Sequence, residues 1–224
     1  MSIATGAHRP CDAEMSLVMR QIVERLVPLH TRLCPRQVLG ARIGLLGGAL
    51  LGLDLPRRDK QLLSIVETDG CFADGVIEAT GCRVGRRTLR VVDHGKVAAV
   101  FVDVHTGRAV RVWPRPEARQ LAYVYAPAAP DLWHAQLDAY QRMPDSELLT
   151  DRPVKLRTPL QALLGRAGVR EECAGCGEEI MNDRGARIAG RVLCAECTGC
   201  GYLSTDGGLQ GRDLGDASRT EHTI

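Results

Sequence analysis

Four of the nine cysteines fall into two pairs of one spacing, Cys173-x2-Cys176 and Cys194-x2-Cys197, seventeen residues apart. Each pair can form a tight knuckle, and a hairpin between them brings the knuckles together, so that four thiolates complete a tetrahedron around zinc at about 2.3 Å. Gly175 and Gly177 suit such knuckles, where backbone amides turn towards sulfur. A site closed by four protein ligands leaves no position for substrate, so the expectation is structural Zn2+, with iron and redox dithiols as weaker readings. A module this small has little core and depends on its metal to fold. Cys200, three residues after Cys197, is read as idle.

A second group of reactive residues stands at the head of LHTRLCPRQVLGARIGLLGGALLG, residues 29–52, where His30 precedes Cys34 by four positions and Pro35 follows it. Pro35 is well placed in a first helical turn. Behind it Gly40, Gly44, Gly48 and Gly52 recur every four residues, on one helical face. Glycine inside a helix costs about 1 kcal/mol relative to alanine. Its regular recurrence therefore implies that a backbone, strand or subunit comes very close. Cys71 and Cys82 bracket CFADGVIEATGC, read as a short helix closed by Gly81. Cys34 and Cys71 thus stand near helix N-termini, where the positive end of the dipole favours thiolate.

The positioning elements follow from periodicity. Val18, Ile22, Leu26 and Leu29 have helical spacing, and Pro28 ends that helix. Leu62 to Glu67 reads as a strand. The segment 87–114 reads as three strands joined by hairpin-like turns at Asp93–Lys96 and His105–Arg108, which favours an antiparallel sheet. Residues 131–149 read as a helix interrupted by Pro144, and 150–170 as a short strand and connector. The order is α+β, not a regular βαβ series. The division expected is a flexible arm (1–14), an α+β domain (15–168), a zinc-ribbon module (169–203) and a disordered tail (204–224).

Bulk composition narrows the functions. Hydrophobic residues at 45% and charged residues at 25% are ordinary for a soluble globular chain. The N-terminus carries no signal-peptide core, and the longest apolar run, Ile43 to Leu53, is too short to span a bilayer. A cytoplasmic protein with no membrane partner is expected, and there an odd number of cysteines argues for metal ligands or reactive thiols over disulfides. Net charge is +2 with both signs interspersed. The zinc module sets Glu171, Glu172, Glu178, Glu179, Asp183 and Glu196 against Arg184, Arg187 and Arg191, an acidic balance that makes nucleic acid the least favoured partner.

Taken together, these blocks resemble the FmdE-like family, which takes its name from formylmethanofuran dehydrogenase. In LHTRLCPR, His30, Cys34 and Pro35 match that family's Phe-His-Gly-His-x-Cys-Pro-Gly motif, while Arg32 replaces its second His and Arg36 its final Gly. VETDGCFADGVIEATGC resembles a second family block and contributes Glu67, Asp69, Cys71, Thr80, Gly81 and Cys82; DHGK contributes Gly95 and Lys96. The resemblance implies helices packed on an antiparallel sheet, a homodimer, and partner oxidoreductase subunits of a molybdenum or tungsten enzyme. It also implies a cleft where His30, Cys34 and Cys71 approach one another, able to bind a second transition metal (zinc, iron or nickel) with an open position. The residues leave two other functions open: a thiol- or metal-dependent enzyme using Cys34 or Cys71 with His30, and a zinc-ribbon binding module. Structural readings stand beside these. Cys82 is read as a small buried hydrophobe, Asp69 as a turn residue, His94 and His105 as solvent-facing, His134 as packed with Trp133 and Tyr140, and Cys11 as idle. His30 can equally cap the end of the first helix.

Overall fold

The computed structural model describes residues 16–203. The expected arm and tail, and Cys11, lie outside them. The contact pattern divides the chain after Leu156.

In the first unit, α1 (Leu17–Leu26) starts where the Ser16 side chain accepts the Met19 N–H at 3.2 Å. Its inner stripe is Met19, Ile22 and Leu26, whereas Val18 and Leu29 are half exposed. The stripe is therefore rotated by one position at its start from the one expected, and the 3-10 turn at Val27–Leu29 carries Leu29 away from the core. α2 (Pro35–Leu51) is apolar nearly all round and buried on most of its surface, as a helix inside a core must be. Arg42 ties it down through the carbonyls of Tyr140 and Met143, at 2.7 and 2.6 Å, and the Asp145 carboxylate.

The glycine face has its cause in α3 (Cys71–Thr80). A Cβ on Gly40 would lie 2.1 Å from the Phe72 carbonyl oxygen, and one on Gly75 2.0 Å from that of Gln37. The two helices cross with their backbones touching, and only glycine permits that. Gly44 meets Ala79 of the same helix, but Gly48 faces Leu55 instead, and Gly52 ends α2 in the left-handed conformation, φ 72°. Gly47, outside the four-residue series, makes room for Phe101.

Beneath the helices lies a five-stranded sheet in the order β2-β1-β3-β4-β5: β1 (Leu62–Val66), β2 (Leu89–Val91), β3 (Ala99–Asp103), β4 (Ala109–Pro114) and β5 (Leu149–Val154). Phe101, Val110, Val112 and Leu62 join the core with α1–α3. The chain's two phenylalanines, Phe72 and Phe101, are fully buried, each stabilising by roughly 1.5–3 kcal/mol. β3, β4 and β5 follow one another antiparallel, and the His105–Arg108 turn is a true hairpin, with Asp103 accepting from His105 N–H and Thr106 Oγ.

The first expected hairpin is not one. β2 runs parallel to β1 on its outer side, and β1 separates it from β3. The Asp93–Lys96 turn exists, with Gly95 at φ 63° and its N–H on Asp93 Oδ1. Instead of closing a β2–β3 ladder it is stapled across the end of β1: the amides of His94 and Lys96 both donate to the Glu67 carbonyl. A second difference is α4 (Ala118–Tyr125), a helix not anticipated although Ala118, Ala122 and Tyr125 recur at helical spacing on its buried face. α5 (Leu132–Ala139) and α6 (Asp145–Leu148) are separated at Pro144, as expected.

The second unit contains α7 (Leu160–Leu164) and two hairpins, β6 (Arg170–Glu172) with β7 (Glu179–Met181), and β8 (Ala186–Ile188) with β9 (Arg191–Leu193). Its core is small: Cys173, Ile180 and Leu193, with Val192 against them. No helix among the described residues is long and apolar enough to cross a membrane.

Candidate metal centre and thiol cleft

The β6–β7 turn carries Cys173 and Cys176, and the end of β9 leads straight into Cys194 and Cys197. The four sulfurs lie within 4.8 Å of one another, and those of Cys176 and Cys194 are 3.8 Å apart. A tetrahedron with bonds of about 2.3 Å has an edge of about 3.8 Å, so the thiols stand where a four-coordinate ion needs them. Backbone amides already point inward: Gly175 and Cys194 donate to Cys173 Sγ at 3.4 and 3.2 Å, and Cys197 to Cys194 Sγ at 3.4 Å. Gly175 has a steric reason as well, because a Cβ there would sit 2.8 Å from Cys197 Sγ, and Gly177 adopts φ 80°.

The amide bonds act unevenly on the sulfurs. The knuckle amides, beginning with that of Cys176, hold the Cys173 thiol down at about 6. Hydrogen bonding with Cys194, and then with Cys173, pushes Cys197 up to about 12. One sulfur ionises early and another must surrender a proton to a metal, so metal uptake releases protons and strengthens as pH rises. Cys200 is exposed and stands outside the cluster, its N–H on the Ala195 carbonyl.

Within the first unit, Cys34 is the N-cap of α2, and its sulfur accepts the Gln37 N–H while its own N–H donates to Gln37 Oε1 at 2.9 Å. This is a capping box with a thiol in the usual hydroxyl position. Cys71 opens α3, after Gly70 at φ 70°. The α2–α3 crossing brings these two helix starts together, near enough for the Cys34 thiol to act on that of Cys71. Both are half-buried. Burial first, then the neighbouring Cys34 thiol, and to a smaller extent the Asp74 carboxylate raise Cys71 above the ordinary thiol range.

His30 Nε2 is 2.7 Å from Asp74 Oδ2, one turn along α3 from Cys71. The ligand atoms of His30, Cys34 and Cys71 are not drawn as tightly together as those of the four-cysteine cluster. Arg32, at the position of the family histidine, has its guanidinium 4.7 Å above the Trp133 ring of α5, and Arg36 is exposed. Glu67, at the end of β1, is gripped by Arg111 of β4 through two bonds of 2.6 Å, and that guanidinium lies over Trp113. The Lys96 turn is stapled beside it. Asp69 is exposed. Cys82 is buried, taking the Ser64 hydroxyl at 3.3 Å, with Thr80 Oγ accepting its N–H. His94 and His105 face solvent. His134 is exposed too, paired with Asp131 at 2.8 Å and edge-on to Trp133, so it does not pack inward with Tyr140 as expected. A cavity of about 520 Å³ lies elsewhere, between the end of α4 and α5, lined by Tyr125, Leu137 and Arg142 among others.

Asp74, Gln37 and Arg111 are absent from the sequence reading. Two left a signal: Gln37 occupies the third position after an N-cap, and Asp74 lies three residues from Cys71 on the same helical face. Arg111 left none, because its partner is 44 positions away.

The family profile described as "FmdE, Molybdenum formylmethanofuran dehydrogenase operon" matches residues 29–150, more than half of the chain. A protein of Archaeoglobus fulgidus named "Probable S-adenosyl-L-methionine-binding protein" is 31% identical over 109 residues, which is 47% of this chain and 30% of that protein. The chain therefore spans less than a third of that relative's length. The crystal structure of a tungsten formylmethanofuran dehydrogenase FmdE-like protein from Syntrophus aciditrophicus superposes with a TM-score of 0.53, covering 83% of this chain and 95% of that one at 24% identity, a likeness of fold.

Proposed function

The chain belongs to the FmdE family, and on that premise we propose that it is a cytoplasmic metal-binding accessory protein of a molybdenum- or tungsten-type, or one-carbon, redox system. The four-cysteine cluster holds structural zinc in this reading, and the cleft of His30, Cys34 and Cys71 holds a second transition metal, whether zinc, iron or nickel. The observation that carries it is the meeting of Cys34 and Cys71 at two helix starts, with His30 on Asp74 one turn away, inside the segment that matches the family. A metal held there supplies a Lewis acid with an open position. Asp74 orients the imidazole, as carboxylates commonly do behind metal-binding histidines. Arg32 stacks on Trp133, so the cleft has one histidine where the family motif has two.

The operon named in the family description supports oxidoreductase subunits as partners. The exposed Leu17 and the half-exposed Val18, Val27 and Leu29 leave apolar surface at the two ends of α1, which supports a homodimer.

Cobalt substitution of the full chain tests the reading, because thiolate-bound cobalt absorbs strongly. Two sets of thiolate bands are expected, one abolished by Cys34→Ser and the other by Cys173→Ser. Bands that ignore Cys34→Ser would refute the second site.

A further inference from the structure

Cys34 and Cys71, 37 positions apart in sequence, stand at the starts of α2 and α3, the two helices whose backbones touch at Gly40 and Gly75. Each is half-buried, open enough for a small reagent to reach. Beside Cys34 stands an unusual neighbour. The Gln37 carboxamide is pinned by its Oε1 on the Cys34 N–H, and its Nε2 is fully buried without a hydrogen-bond partner. A buried donor with no acceptor is costly to keep. A sulfur anion at Cys34, or a second sulfur joined to it, is an acceptor of the kind this donor lacks. The cleft thus couples two interacting thiols to an unspent hydrogen-bond donor.

We propose that Cys34 and Cys71 are a redox dithiol that closes reversibly to a disulfide by exchange with low-molecular-weight disulfides. In the first step the Cys34 thiolate attacks one sulfur of the disulfide RSSR. That S–S bond breaks, a mixed disulfide forms on Cys34, and the departing RS⁻ takes up a proton. In the second step Cys71 gives its proton to solvent, and its sulfur attacks Cys34 Sγ and expels the second RS⁻, which is protonated in turn. Two protein thiols are oxidised by two electrons, and RSSR is reduced to two RSH. The Gln37 carboxamide holds the Cys34 backbone N–H through its Oε1 throughout. The proposal goes beyond the metal reading and rests on it in one consequence only: the closed pair offers no thiolate, so oxidation empties the cleft of any metal it holds.

The test uses the full chain with Cys11→Ser and Cys200→Ser, incubated with oxidised glutathione, alkylated and mapped by peptide mass, with metal content measured before and after. The expected result is a single linked peptide of Cys34 and Cys71, with the loss of two alkylatable thiols. With Cys71→Ser added, Cys34 accumulates the glutathione adduct that the parent chain resolves. Serine is a favoured N-cap, so Cys34→Ser keeps α2 intact and loses both the adduct and the link. Two outcomes would overturn the proposal: both thiols remaining alkylatable, or equal amounts of adduct with and without Cys71. So would a link from Cys34 to a cysteine of the four-cysteine cluster. A Cys34–Cys71 link formed with no metal released would sink the metal reading and leave the dithiol standing. Metal bound at the cleft with no link formed would do the reverse.

Discussion

Glu67 and Arg111 meet through two short bonds, with side chains only 11% and 25% exposed. Such a pair is worth little against an apolar replacement, but breaking it strands a buried charge at a cost of about 3–5 kcal/mol. Arg111→Met should therefore destabilise the first unit by roughly 3 kcal/mol at neutral pH in urea unfolding, with the cost set by the abandoned carboxylate. The pH dependence fixes the cause. Arg111 holds the Glu67 carboxyl below its ordinary 4.5, so in the parent chain this stabilisation is present above 4.5 and is lost as pH falls through the lowered folded value. Without Arg111, burial raises the same carboxyl, and the variant's deficit should shrink in acid. A deficit constant with pH would mean that Arg111 acts through its packing on Trp113. In sequence, Glu67 stood out only by resemblance, and nothing near it announced a partner two strands away. Gln37 and Asp74 were legible in principle, since helical spacing alone ties each to its cysteine.

At the scale of elements, the contact between α2 and α3 decides where both cysteines stand. Alanine in place of glycine normally strengthens an exposed helix by about 1 kcal/mol. At Gly40 the new methyl would lie 2.1 Å from a carbonyl oxygen, and overpacking of that kind costs typically about 1–3 kcal/mol or more. Steric cost wins over propensity, so Gly40→Ala should lower stability and separate Cys34 from Cys71, seen as a loss of the oxidised cross-link. Gly85, where a Cβ meets nothing within 4 Å, should accept alanine within about 1 kcal/mol. Equal stability of the two variants would refute the backbone contact. The four-residue glycine period announced this close approach correctly, because a helical period is local. It could not name α3 as the partner, nor reveal that Gly52 is a cap and Gly47 a seat for Phe101. The mixed sheet was hidden for a similar reason. Asp93–Lys96 has the chemistry of a hairpin turn, but whether a turn closes a ladder or crosses a neighbouring strand depends on which strand lies beside it.

For the molecule as a whole, the two units differ in what holds them. The first rests on an apolar core that spans helices and sheet. The second has only Ile180 and Leu193 buried with Cys173 beside its four thiols, too few to offset the entropy of ordering its chain. A chelator should therefore unfold residues 169–203 and leave the first unit folded. Hydrogen exchange should show protection lost in β6–β9 and kept in β1, β3 and α2; protection surviving chelation throughout would mean the module folds without metal. This site was the most legible part of the chain, since its ligands are close in sequence and metal geometry dictates their spacing. The cleft was legible only through resemblance, because its residues come together by tertiary packing. Whether the chain has two separate metal centres is decided by metal content per chain of anaerobically purified protein. Two ions are expected, one lost in the Cys173→Ser, Cys176→Ser variant and the other in Cys34→Ser. A single ion, lost with Cys173 and Cys176 and indifferent to Cys34, would leave the cleft without its metal and the proposed function without its second centre.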